Sequence, residues 1–148
     1  METVTATSLA EAQIRQLINE FSSAVMARDL DRMLVSYAKD AVIFDAAPAK
    51  LSIGLEQYRT NWQQFFDMLN GPVRHETRDL TVIADGDLAV AHALAHTAAT
   101  QTNGKPMAMW FRVSLAFRKV GGRWLVTHEH SSVPFEPQSM RAAVDLRP

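Results

Sequence analysis

Asp85-Gly86-Asp87-Leu88-Ala89-Val90-Ala91-His92-Ala93-Leu94-Ala95-His96-Thr97 is the stretch whose reading decides the fold. From Leu88 onward large and small residues alternate, which is the period of a β-strand, whose successive side chains point to opposite faces. Leu88, Val90, His92, Leu94 and His96 share one face, and Ala89, Ala91, Ala93 and Ala95 share the other. Asp85-Gly86 before the run and Thr102-Asn103-Gly104 after it are hairpin turn signals, because Gly, Asn and Asp tolerate the positive φ that tight turns between twisted strands require. The next run alternates in the same way, with Met107, Met109, Phe111, Val113, Leu115 and Phe117 on one face and Ala108, Trp110, Arg112, Ser114 and Ala116 on the other. Gly121-Gly122 then marks a third turn. Four strands over about 73–83, 87–100, 107–119 and 123–133 are therefore expected, joined as consecutive antiparallel hairpins.

Upstream of these strands the period changes to that of helices. Ser8 and Glu11 have the spacing of a capping box, and Ile14, Leu17, Ile18, Phe21 and Val25 recur at three- and four-residue steps behind them, which predicts a helix over 8–27. Asp29 can cap a short second helix with Leu30, Met33, Leu34 and Tyr37 as its apolar positions. Ala41-Val42-Ile43-Phe44-Asp45 reads as a strand that ends at Ala46-Ala47-Pro48-Ala49. After Gly54 a third helix places Leu55, Tyr58, Trp62, Phe65, Phe66 and Leu69 on one side, and Asn70-Gly71-Pro72 closes it. Helices followed by hairpins define an α+β class, with one strongly curved, mostly antiparallel sheet wrapped on one face by three N-terminal helices. Neither face of the strands from Leu88 and Met107 has the composition of a plain solvated surface. Helices are expected over one face and a second copy of the chain over the other, a homodimer that would cover Trp110; the alternative is that the alanine face is simply wet.

Bulk properties narrow the function classes. The chain has 148 residues, the size of one domain, with 47% hydrophobic and 21% charged residues and a net charge of −1, which excludes disorder. Its 15 Lys and Arg are scattered rather than gathered into a basic stripe, so nucleic acid is not an expected partner. There is no cysteine, hence no disulfide framework, thiol catalysis or thiolate metal site. Met1 to Ala10 carry neither a basic residue nor an apolar run of secretory length, and the apolar stretches elsewhere fall short of the ~20 residues a membrane helix needs. The expectation is a cytoplasmic protein with no membrane partner. Pro134 to Pro148 form a Pro-flanked C-terminal arm, either docked or loose.

The order of elements and several motifs resemble the superfamily of nuclear transport factor two, ketosteroid isomerase and the SnoaL-type polyketide cyclases over nearly the whole chain. The motifs are Arg28-Asp29-Leu30-Asp31 leading to Tyr37-Ala38-Lys39-Asp40-Ala41, Gly54 opening the third helix, Asp85-Gly86-Asp87-Leu88-Ala89, and Gly122-Arg123-Trp124-Leu125-Val126-Thr127-His128-Glu129-His130-Ser131. The last of these, with Ser132-Val133-Pro134-Phe135, is most similar to the SnoaL-like subgroup related to the association domain of calcium/calmodulin-dependent kinase. The resemblance implies a cone-shaped, cystatin-like α+β barrel around a central cavity. It also implies that a small hydrophobic or carbonyl-containing molecule binds there, with cofactor-independent acid/base catalysis of isomerase, cyclase or dehydratase type; the alternative is non-catalytic ligand binding or dimeric assembly. Asp45 falls on the catalytic aspartate of the isomerases. Their two oxyanion donors fall on Phe21 and Val113, which carry no donor, so steroid isomerisation by that mechanism is not expected.

The candidate catalytic residues are Asp45, His92 and His96. An aspartate at the end of an apolar strand can serve as a general base at a cavity mouth, or simply cap the turn at Ala46-Ala47-Pro48. The resemblance puts His92 and His96 on the concave face, where two imidazoles can bind a ligand, transfer a proton or coordinate a metal; the plainer reading is a pair of satisfied core or rim histidines. On the final strand Thr127, Glu129 and Ser131 alternate with Val126, His128 and His130, and alternation alone leaves the inward set open; the resemblance implies the former. Candidate ligand-binding residues are Phe21, Trp62, Phe66, Met109, Phe111, Val113, Thr127 and Glu129, with Phe65 and Met107 in the same apolar wall. No His-Glu-x-x-His spacing supports a metal site, and no cofactor is expected.

Overall fold

A computed structural model describes residues 5–48 and 50–148. Helix α1 spans Ala6–Met26 and starts earlier than expected, because the Thr5 side chain, rather than Ser8, is the cap and accepts from the Ser8 backbone N–H at 3.1 Å. It buries Ala10, Ile14, Ala24 and Val25. Asp29 caps α2 (Leu30–Leu34) as its sequence suggests, with the Arg32 N–H donating to Oδ1 at 3.1 Å. Tyr37 is not part of that helix. It opens strand β1 (Tyr37–Phe44), so the strand begins ahead of its β-branched centre and Asp45 lies just beyond its end.

Helix α3 (Leu55–Asp67) is shorter than expected. It is capped at Met68, and Leu69 already belongs to β2 (Leu69–Asp85). Asn70-Gly71-Pro72 is therefore a bulge in β2 rather than a helix stop: the register shifts between Asn70 and Arg74, and Gly71 takes a φ of 78° that a side-chain-bearing residue would rarely adopt. Pro72, which has no N–H to give a ladder, is tolerated because β2 is an edge strand. Strands β3 (Leu88–Gln101), β4 (Pro106–Val120) and β5 (Arg123–Ser132) follow as the three turn signals predict.

The five strands form one open sheet in the order β1-β5-β4-β3-β2; β1 runs parallel to β5 and every other pair is antiparallel. The fold is α+β, a strongly curved sheet closed on its concave side by the helices. Ile14, Val25, Met33, Ile43 and Phe117 are the largest fully buried side chains, gathered where the helices meet that concave side. In the C-terminal arm β6 (Phe135–Glu136) and β7 (Arg141–Ala142) make a small hairpin, and Ala142 and Val144, with Val133 just before the arm, line the central cavity. Among the described residues no helix is long and apolar enough to cross a membrane.

Candidate active site

The row of alanines on β3 faces inward, the reverse of the expected orientation. Ala89, Ala91 and Ala93 are buried, while Leu88 and Val90 are about half exposed, at 54% and 49%. In the ladder Ala93 pairs with Val113 and Ala95 with Phe111, so the small face of β3 and the large apolar face of β4 are one surface. The physical reason is volume. Methyl side chains on the concave wall leave space that leucines and imidazoles would fill, and a cavity of about 440 Å³ lies there.

His92 and His96 therefore belong to the convex face, and their placement in the cavity is corrected. His92 borders the cavity as part of the strand between inward-facing Ala91 and Ala93, and by alternation its exposed ring falls with Val90. His96 stacks on its cross-strand partner Trp110, with ring centroids 4.6 Å apart, and its Nδ1 lies 3.6 Å from Glu76 Oε1. His128 and His130 are on the same side, both edge-on to Phe44, and His128 Nδ1 bonds the Val42 carbonyl at 2.6 Å.

Glu129 does face inward, but Thr127 does not share its role. A bulge shifts the β4–β5 register between Ala116 and Phe117, so Ala116 pairs with His128 while Phe117 pairs with Val126. The extra residue is Thr127, whose hydroxyl donates to the Ala116 carbonyl at 3.3 Å. Val126, Glu129 and Ser131 line the cavity and Thr127 does not. Of the other expected ligand contacts, Phe21, Trp62, Met109, Phe111 and Val113 line it, whereas Phe66 is buried behind Trp62, ring centroids 5.6 Å apart, as part of the core.

Three hydrogen-bonded polar clusters stand out in this mostly apolar lining. Tyr37 donates to Glu129 Oε1 at 2.7 Å, and Tyr58 donates to Oε2. Asn61 holds Asp45 by donating to Oδ2 at 2.7 Å. His75 pairs through Nδ1 with the Ser22 hydroxyl at 2.9 Å and packs edge-on against Phe21. Sequence reading misses Tyr37, Tyr58, Asn61 and His75. The signals are present: Tyr58, Asn61 and Trp62 stand at three- and four-residue steps on α3, hence on one face, and Val73, His75 and Thr77 alternate on β2. A second bulge on β2, between Arg78 and Thr81 with Asp79 at φ 55°, then restores Leu80 and Val82 to the same inward side.

Burial governs the electrostatics. It raises Glu129 above the usual carboxylate range, against the opposing pull of the two tyrosine hydrogen bonds, and the Asp45 charge adds to the rise. Burial also raises Tyr37 and Tyr58 well above the ordinary phenol value, with the Glu129 charge as the next cause. Burial lowers His75 to about 4, with the charge of His96 adding to it. The unfolded chain, with an ordinary imidazole near 6.5, binds the proton first as pH falls, so the stability present above that value is lost between 6.5 and about 4. We expect His75 to cost the fold about 2–3 kcal/mol across that window. Urea unfolding of wild type and His75→Gln at pH 7 and pH 4 checks it: the acid loss should shrink in the variant, and parallel losses would refute the assignment.

A curved α+β cone with an apolar cavity and a few convergent polar groups defines a small-molecule binding or catalytic domain. The chain belongs to the SnoaL-like domain family, whose match spans residues 14–136. Its structure is similar to that of an NTF2-like protein of unknown function from Pseudomonas putida KT2440, at 38% identity over 96% of this chain and 99% of that one, with a TM-score of 0.86. The association domain of C. elegans CaMKII shares the fold at 18% identity, covering 86% of this chain and 98% of that one, with a TM-score of 0.70. A ketosteroid isomerase-like protein from Erwinia carotovora atroseptica SCRI1043 does so at 16% identity, 82% and 94% coverage, and a TM-score of 0.67. No curated protein matches the chain.

Proposed function

We propose that the chain binds a small, mostly apolar, carbonyl-containing molecule in the cavity and catalyses a cofactor-independent proton transfer on it, with Asp45 as general base. The observation that carries this reading is Asp45 itself: it lines the cavity, Asn61 orients one of its oxygens, and the facing walls are Trp62, Phe65 and the large side chains of β4. A carboxylate held against an apolar pocket is suited to take a proton from carbon next to a carbonyl. Phe21 and Val113 line the cavity without a hydroxyl or an acid, so the isomerases' own pair of donors is not reproduced at those two positions. Proton exchange on simple ketones tests the reading without an identified substrate. In D2O the protein should accelerate deuterium entry next to the carbonyl of apolar ketones such as 2-tetralone, followed by proton NMR. Rates equal to buffer alone across a panel of such ketones would refute catalysis and leave a binding domain.

Assembly is a second reading, and the convex face favours it. Val42 (45% exposed), Phe44 (38%) and Ile83 (58%) lie exposed there with Leu88 and Val90, and such a surface suits a second copy of the chain. The ketosteroid isomerase-like relative and the kinase association domain are both consistent with the fold serving either role. Light scattering should give twice the chain mass, and Val90→Glu, which puts a charge on that face, should halve it. A monomeric wild type would refute the dimer.

A further inference from the structure

We propose that the Glu129–Tyr37–Tyr58 cluster recognises a hydrogen-bond-accepting oxygen on a neutral ligand, and that binding such a ligand takes up one proton from solvent. The inference rests on the cavity reading above, and its warrant is a count of hydrogens. Each phenol has one hydrogen to give and an ionised carboxylate has none. With Glu129 ionised, the Tyr37 hydrogen is on Oε1 and the Tyr58 hydrogen on Oε2, so both are spent and no donor is left for a ligand. When a proton from solvent sits on Glu129, the carboxyl must itself donate. One tyrosine oxygen accepts that hydrogen, and the same tyrosine's own hydrogen is released. All three residues border the cavity, so a ligand oxygen is the acceptor that completes the set.

Without such an acceptor the third hydrogen has no partner, and a buried donor left unpaired is costly. An acceptor-bearing ligand therefore favours the protonated cluster, and the protonated cluster favours that ligand; the two equilibria are linked. Burial, which already raises Glu129, moves the cluster in the same direction. The groups that act on Glu129 are Tyr37 from β1, Tyr58 from α3 and Asp45 from the segment after β1, all on the cavity side, and His128, its neighbour on β5, from the convex side. His75 lines the same cavity from β2 and is neutral above about 4. The lining also holds Arg32 and Glu20, one charge of each sign, beside Asp45, so it carries no surplus of positive charge to hold an anion. A neutral ketone or ester fits this surface better than a carboxylic acid.

The test uses 2-acetylnaphthalene and its hydrocarbon counterpart 2-ethylnaphthalene, which differ in the acceptor oxygen. Calorimetric titration from pH 5 to pH 9, in paired buffers of different ionisation enthalpy, reads the protons taken up per ligand bound. For the ketone, uptake should rise from near zero toward one as pH climbs past the titration of unliganded Glu129, with affinity falling as much as roughly tenfold per pH unit. For the hydrocarbon, uptake should stay at zero and affinity flat. Glu129→Gln, whose amide already carries donors, should still prefer the ketone but bind it with no uptake at any pH. Ketone binding without uptake in the wild type, or uptake that survives Glu129→Gln, overturns the inference while the cavity reading stands. If neither naphthalene binds, the cavity reading fails and the inference falls with it.

Discussion

Asp45→Asn is expected to lower the rate of ketone deuterium exchange by about 10²–10⁴, the usual contribution of a positioned general base. The exchange of one oxygen for an amide leaves the shape of the side chain and removes the basic lone pair. Asn61 donates to Asp45 Oδ2 at 2.7 Å, and an asparagine at 45 can offer its amide oxygen to the same donor, so the local structure survives. Ketone affinity should change by less than about tenfold, because the apolar walls that supply most of the binding are untouched. The split matters: loss of exchange with retained affinity identifies a base, whereas loss of both together identifies a structural residue. If exchange proceeded at the wild-type rate in this variant, Asp45 would have no catalytic role.

Glu129→Ala is expected to lower stability by about 3 kcal/mol, which in a chain of this size is a fall in Tm of about 10 °C. Tyr37 and Tyr58 both donate to this carboxyl, and removing it strands two buried phenol hydrogens at once and opens a void between them. Relief of the carboxyl's own burial offsets part of that loss, so the net figure is below the sum. Glu129→Gln keeps the shape but offers one acceptor in place of two, so one phenol hydrogen is left unpaired and the cost should be about 1–2 kcal/mol, below that of alanine. Circular dichroism melts of the two variants measure the contrast. Equal melting of Glu129→Ala and wild type would mean that the two tyrosines find other acceptors and that the cluster does not support the fold.

How much of this is legible in the chain itself depends on the scale of the signal. The three hairpin turns at Asp85-Gly86, Asn103-Gly104 and Gly121-Gly122 announce themselves, because few residue types accept the backbone angles such turns need. The bulges at Gly71, Asp79 and Thr127 do not. One extra residue in a strand changes which side chains face inward, and at Thr127 that residue needs no special backbone angle, so strict alternation misplaces Thr127 and leaves Val126 on the wrong side. The inversion at β3 has a different origin. A row of alanines suggests a surface for close approach, but on a concave wall the same row creates the hollow, and the bulky positions stack outside, as His96 does on Trp110. Tyr37 and Tyr58 read as apolar because their rings pack like phenylalanine; only the three-dimensional meeting with Glu129, 92 positions away from Tyr37 in the chain, reveals the hydroxyls as the site's polar centre.

The alanine wall also makes the molecule easy to retune. Ala93 and Ala95 border open space and the neighbouring strand, so a valine or leucine at either position would occupy the hollow without crowding the helices. Graded substitutions there would shorten or narrow the compartment step by step and turn a permissive receptor into one that sorts guests by size, with Asp45 and Glu129 left as they are.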